Sequence, residues 1–159
     1  TLVTYYSLTG HTATVADALA DRLGAEADPI VEQSARGGLL GTATSAMTAL
    51  LGRKSAIADP AHDPSEFDLV ILGTPVWAAA PAPAVNAYID RHRDALDHVA
   101  FFCTQGKFGA VGTLARMERR LGHPPLATLE VNEEEIGGSA LDERIEAFLS
   151  DPKDARDRA

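Results

Sequence analysis

Cysteine is nearly missing from this sequence: its 159 residues include one, Cys103. A lone thiol closes no intrachain disulfide and builds no Cys-rich zinc site, so a disulfide-stapled secreted scaffold is excluded and a reducing, cytoplasmic setting is expected. Positive charge is scarce too. Lys and Arg number 14 against 23 Asp and Glu, giving a formal net charge of −9 and a pI near 4.9. That is the wrong sign for a chain whose partner is a polyphosphate backbone, and nucleic acid is set aside as a partner. The same acidity keeps a small protein soluble and steers encounters with a basic protein surface. Long apolar runs are absent as well. Nothing approaches the ~20 residues of a bilayer-spanning helix, and the opening Thr1-Leu2-Val3-Thr4-Tyr5-Tyr6 lacks a basic leader segment. Neither membrane insertion nor secretion is expected, and the missing initial Met reads as processing or trimmed numbering.

What is present is a regular alternation. Short apolar runs at Leu2–Tyr6, Leu69–Gly73, Val99–Cys103 and Leu126–Val131, with a weaker one at Pro29–Glu32, alternate with segments of helical period. That pattern belongs to a parallel sheet covered on both faces, an α/β architecture with five strands. The helical stripes are Val15, Leu19 and Leu23; Val85, Tyr88 and Ile89; Val111, Leu114 and Met117; and Leu141, Ile145 and Phe148, each marking a buried face. Residues 1–149 read as one domain and 150–159 as a charged tail. The stretch Ser34–Glu66 exceeds an ordinary connection and is punctuated by Gly and Pro around a short helical segment at Ala46–Leu51. It reads as a long crossover, a lid or a partner surface.

Ligands of open α/β sheets bind beyond the carboxyl ends of the strands, and three segments there are unusual. The first, Ser7-Leu8-Thr9-Gly10-His11-Thr12, joins a strand directly to an amphipathic helix. Gly10 permits a tight turn, the helix start presents outward N–H groups, and Ser7, Thr9 and Thr12 add hydroxyls beyond the one an N-cap needs. No Lys occupies the loop, so a nucleoside triphosphate with magnesium fits poorly and a phosphate monoester fits better. The second, Thr74-Pro75-Val76-Trp77-Ala78, holds the only Trp. Its ring reads equally as a wall for a flat ligand or as core under the loop. The third, Thr104-Gln105-Gly106-Lys107-Phe108, supplies polar groups for a heterocyclic edge, or simply turns the chain.

Together, Tyr5-Tyr6-Ser7-Leu8-Thr9-Gly10-His11-Thr12 and Gly73-Thr74-Pro75-Val76-Trp77 make the chain resemble the flavodoxin family over nearly its whole length. Ser7, Thr9, Gly10 and Thr12 fill the family's [ST]-x-T-G-x-T phosphate loop. The resemblance implies a three-layer, doubly wound sheet of five parallel strands in order 2-1-3-4-5. It also implies non-covalent FMN, with phosphate on the first loop, isoalloxazine between the second and third, and Trp77 stacked on one flavin face. The implied activity is electron transfer between a reductase and an acceptor protein. One departure bears on this: the third loop carries Thr104, Gln105 and Gly106 where better-known flavodoxins place an aromatic, with Phe108 as a shifted substitute. An uncovered flavin face would admit a nicotinamide or quinone, so an NAD(P)H-dependent FMN or quinone reductase is the alternative, and a flavin-free binding module the third.

Other chemistries find less support. Receiver-type acid pairs after the first strand are missing, and six residues after Cys103 stands Gly109 where a low-molecular-weight phosphatase needs Arg. Cys103, between Phe102 and Thr104, reads as a buried side chain. The five His residues have no ligand spacing, so no metal is expected. His11 reads as an exposed helix-start residue, and Glu133-Glu134-Glu135 as a solvated run that would repel a flavin anion or dock a basic reductase.

Overall fold

The computed structural model describes residues 1–33 and 55–150. The helical segment expected at Ala46–Leu51 and the tail beyond Ser150 lie outside the described residues. Strand β1 (Leu2–Tyr5) leads to helix α1 (His11–Leu23) and strand β2 (Glu26–Pro29). Strand β3 (Val70–Trp77) turns back as the short β4 (Ala80–Pro81) into helix α2 (Pro83–His92). Strand β5 (Val99–Gln105), helix α3 (Ala110–Leu121), strand β6 (Thr128–Asn132) and helix α4 (Ser139–Leu149) follow. The sheet order is β2-β1-β3-β5-β6, with β4 an antiparallel appendage of β3. With the appendage set aside, this is the expected parallel order 2-1-3-4-5.

Period-two alternation explains why the strands read as unbroken apolar runs. Val70, Leu72, Val99, Phe101 and Cys103 face one layer, packed under α2 and α3 with Val85, Tyr88, Ile89, Leu114 and Met117. Val3, Ile71, Ala100, Phe102 and Val131 face the other, under α1 and α4 with Val15, Leu19, Leu141 and Ile145. Both faces of the central strands β1 and β5 are buried throughout, so their positions are not free to be polar for solvation alone.

Four details differ from the sequence reading. The second strand is Glu26–Pro29, not Pro29–Glu32. It is an edge strand that buries only Asp28, so it carries no apolar alternation, and the apolar pair Ile30-Val31 lies just past its end. Asp28 accepts the His62 N–H at 2.9 Å, which satisfies a buried carboxylate from the chain that returns toward β3. Strand β3 runs four residues beyond Gly73, because Thr74 and Pro75 stay in register with Cys103 and Thr104 while Val76 and Trp77 pair with β4. Strand β5 likewise takes in Thr104 and Gln105. Val111 is 75% exposed, and the buried stripe of α3 is Ala110, Leu114, Met117 and Leu121.

Candidate functional site

The order β2-β1-β3 reverses direction between β1 and β3, so the loops after these two strands diverge and open a crevice at the carboxyl edge of the sheet. The first loop is shaped by one hydroxyl. Ser7 Oγ accepts the N–H groups of Gly10 and of Ala13, each at 3.2 Å, drawing the loop over the start of α1. Gly10 has φ 97°, the left-handed region, with open space where a Cβ would stand. Glycine is therefore required there by the backbone turn rather than by a neighbour. Among the described residues the backbone N–H groups of Leu8, Thr9, His11 and Thr12 have no hydrogen-bond partner. They stand at the positive end of α1, where an anion is favoured by both dipole and donors.

Thr12 contributes differently from its neighbours. It is 1% exposed, and its Oγ1 lies 2.8 Å from Thr104 Oγ1 in a buried hydroxyl pair. This bond pins the first loop to the end of β5. Leu8, Thr9 and Gly10 are exposed and His11 half-buried. His11 Nδ1 lies 3.2 Å from Glu133 Oε1, so one carboxylate of the acidic run faces the loop. Glu135, at the other end of that run, is structural. It accepts the Asn132 N–H at 2.7 Å and pairs with Arg144 at 2.8 Å, and the Asn132 N–H first, then Arg144, holds its carboxyl below the ordinary value.

The second segment is a strained hairpin. Ala78 and Ala79 have φ 51° and 57° between the paired residues Trp77 and Ala80, the two-residue turn that ordinarily takes Asn-Gly. Thr74 is fully buried, its Oγ1 accepting the Ala82 N–H at 3.0 Å, which fixes the entry to α2. Trp77 is 6% exposed and meets Tyr6 edge to face at 5.7 Å; its indole is packed as core, and the accessible surface of this segment belongs to Pro75, Val76 and Ala78. The third segment divides in the same way. Gln105 is buried, its Oε1 accepting the Ala110 N–H at 2.9 Å and its Nε2 donating to Asn132 at 3.3 Å, so it caps α3. Gly106, Lys107 and Phe108 are exposed, and Phe108 keeps 83% of its surface.

Two features escaped the sequence reading. Among the described residues the exposed large apolar side chains are Leu8, Val31, Phe108 and Val111. All four stand beyond the carboxyl ends of strands, although they are scattered along the chain. A groove of about 390 Å³ also runs between the first loop and the segment after β2, lined by Tyr6, Ser7, Gly10, Ile30 and Glu32. Tyr6 Oη donates to Glu32 Oε2 at 3.1 Å, and the Ser55 hydroxyl to Glu32 Oε1. Burial, then the Glu32 charge and hydrogen bond, push the Tyr6 phenol above its ordinary value, so it remains a neutral donor. No local sequence signal joins Tyr6 to Glu32.

No family model and no curated protein matches the chain. Solved structures do. A flavoprotein from Lactobacillus acidophilus NCFM, determined in complex with FMN, superposes with a TM-score of 0.71 at 18% identity, over 90% of this chain and 96% of that one. A putative flavoprotein from Bacteroides eggerthii DSM 20697 gives 0.70 at 19% identity, over 93% and 96%. The two-electron reduced flavodoxin of Megasphaera elsdenii gives 0.55 at 16% identity, over 92% and 97%. With β2-β1-β3-β5-β6 between two helical layers and these neighbours over nine-tenths of its length, the chain has the flavodoxin-like fold.

Proposed function

We propose that the protein binds FMN and carries electrons between a reductase and an acceptor protein. The observation that carries this reading is the first loop: amides of Leu8, Thr9, His11 and Thr12 at the start of α1 without a partner among the described residues, under a chain turn that Ser7 and Gly10 hold in place. Those amides and the Thr9 hydroxyl would hold the phosphate monoester. The backbone of Pro75, Val76 and Ala78 and that of Gly106 and Lys107 flank the space for the ring, and Phe108 stands free to cover its outer face. The Thr12–Thr104 bond keeps the phosphate loop and third segment at a constant separation. FMN, when bound, supplies reversible acceptance of one or two electrons. The chain tunes that chemistry by its net charge of −9 and by Glu133 beside His11, which disfavour added negative charge and so favour a low potential. FMN in the L. acidophilus flavoprotein supports the cofactor. We place the protein in the cytoplasm, with partners that dock through basic surfaces.

The test is a titration of apoprotein with FMN and with riboflavin by calorimetry. FMN binding with riboflavin at least tenfold weaker supports the phosphate loop; no binding of either withdraws the cofactor and favours a flavin-free module. A second reading, an NAD(P)H-dependent FMN or quinone reductase, draws on Phe108, which is 83% exposed. Rapid reduction of the FMN-loaded protein by NADPH in stopped flow would select it over the carrier.

A further inference from the structure

A second concave site lies away from the first loop. Helix α2 presents Asn86 and Asp90, the turn that follows it presents Arg93, and α3 presents Arg116, Arg119 and Arg120 across one turn. The two rows face each other over a groove of about 580 Å³, closed at one end by Ala80 and Pro81 of the β3–β4 hairpin, within the size range of small-molecule sites. Four of the eight Lys and Arg among the described residues line it, in a chain of net charge −9.

Among the described residues, Asp90 is the one carboxylate lining the groove. It takes Arg120 at 2.6 Å and Arg93 at 3.7 Å, crosslinking the helices. Among the described residues Arg116 and Arg119 make no ion pair; Arg119 Nε donates to the Ala115 carbonyl at 3.2 Å, which fixes the stem of its side chain. Four guanidiniums against one carboxylate leave an excess of three positive charges in one concavity. A structural ion-pair network has no use for that excess, because like charges at this spacing repel.

We propose that this groove binds the diphosphate of a nucleotide. Guanidinium forks match phosphate oxygens two at a time, and three net positive charges suit a diphosphate better than a single phosphate. The groove's volume leaves room for a nucleoside beside the charged group. It shares no residue with the first loop and lies on the opposite helical layer from α1, so the assignment does not depend on FMN.

The experiment is calorimetric titration of the full chain at low ionic strength with pyrophosphate, ADP and inorganic phosphate, each with and without saturating FMN. Pyrophosphate and ADP should bind at one site per chain in both conditions, more tightly than inorganic phosphate. Arg116→Gln with Arg119→Gln should weaken ADP by at least about tenfold, from the loss of charge-assisted hydrogen bonds, with the FMN titration unchanged. Arg91→Gln, which removes an α2 arginine paired with Asp59 outside the groove, should leave ADP binding intact. No binding of any of the three probes, as when an acidic protein is the true occupant, overturns the proposal. So does ADP binding that survives the double variant, is displaced by FMN, or falls equally in Arg91→Gln. A protein that takes ADP but no FMN would sustain the groove and sink the flavin reading, and the reverse result would do the opposite.

Discussion

At the residue scale, hydroxyls and amides at the carboxyl edge divide into those that shape the site and those that remain for a ligand. The Thr12–Thr104 pair belongs to the first group. Thr12→Val removes one partner and leaves a buried hydroxyl unsatisfied, so it should lower stability by about 1–3 kcal/mol. The double variant with Thr104→Val should recover much of that loss, and urea denaturation of the four proteins measures the coupling. Cys103 is a second case. It is fully buried, and burial first, then the Glu130 charge, push its thiol up to about 12 from 9.0. The folded thiol keeps its proton where the unfolded one has lost it, so this group's contribution to stability falls as pH rises from 9 toward 12. Native protein should not react with a thiol reagent at neutral pH, and urea-unfolded protein should react fully; fast native labelling would contradict the burial.

At the element scale, β3 holds a glycine packed under a ring and ends in a strained turn. A Cβ on Gly73 would stand 2.0 Å from Phe102 Cζ, its partner across the β3–β5 ladder, so the ring covers the glycine. Gly73→Ala should destabilise by roughly 1–3 kcal/mol or more through overpacking, and Phe102→Leu added to it should restore part of the loss. The hairpin at the end of the same strand predicts the opposite sign. Ala79 holds φ 57°, a conformation that costs an L-residue roughly 1–2 kcal/mol. Ala79→Gly should therefore stabilise, by about 1 kcal/mol once glycine's greater unfolded freedom is deducted, and thermal unfolding would register the gain. The sequence showed β3 as an apolar run but hid its last four residues, because Pro75 and the small residues after Trp77 have the composition of a loop.

At the scale of the whole molecule, the two helical layers serve different ends. The α1–α4 layer backs the first loop, and the α2–α3 layer carries the arginine groove. FMN that binds only the folded chain should stabilise it by about 2.7 kcal/mol at a hundredfold excess over its dissociation constant. The urea midpoint should rise with FMN concentration and rise less with riboflavin; an unmoved midpoint at high FMN would remove the cofactor from the proposed function.

The sequence alone determined the alternation of strands and helices and the place of the first loop, because these are written in local periods and in the short run Ser7–Thr12; the order of the parallel sheet came only from the resemblance those residues carry. The tertiary structure decided which polar groups are left over. Thr12 and Thr104 are 92 positions apart, Tyr6 and Glu32 are 26 apart, and Trp77 meets Tyr6 across two strands. Whether such a side chain faces a ligand or a neighbour depends on what the fold packs beside it. Arg93 at the end of α2 and the arginines of α3 likewise become one groove only when the two helices lie side by side, since charge along a chain carries no record of which faces will meet.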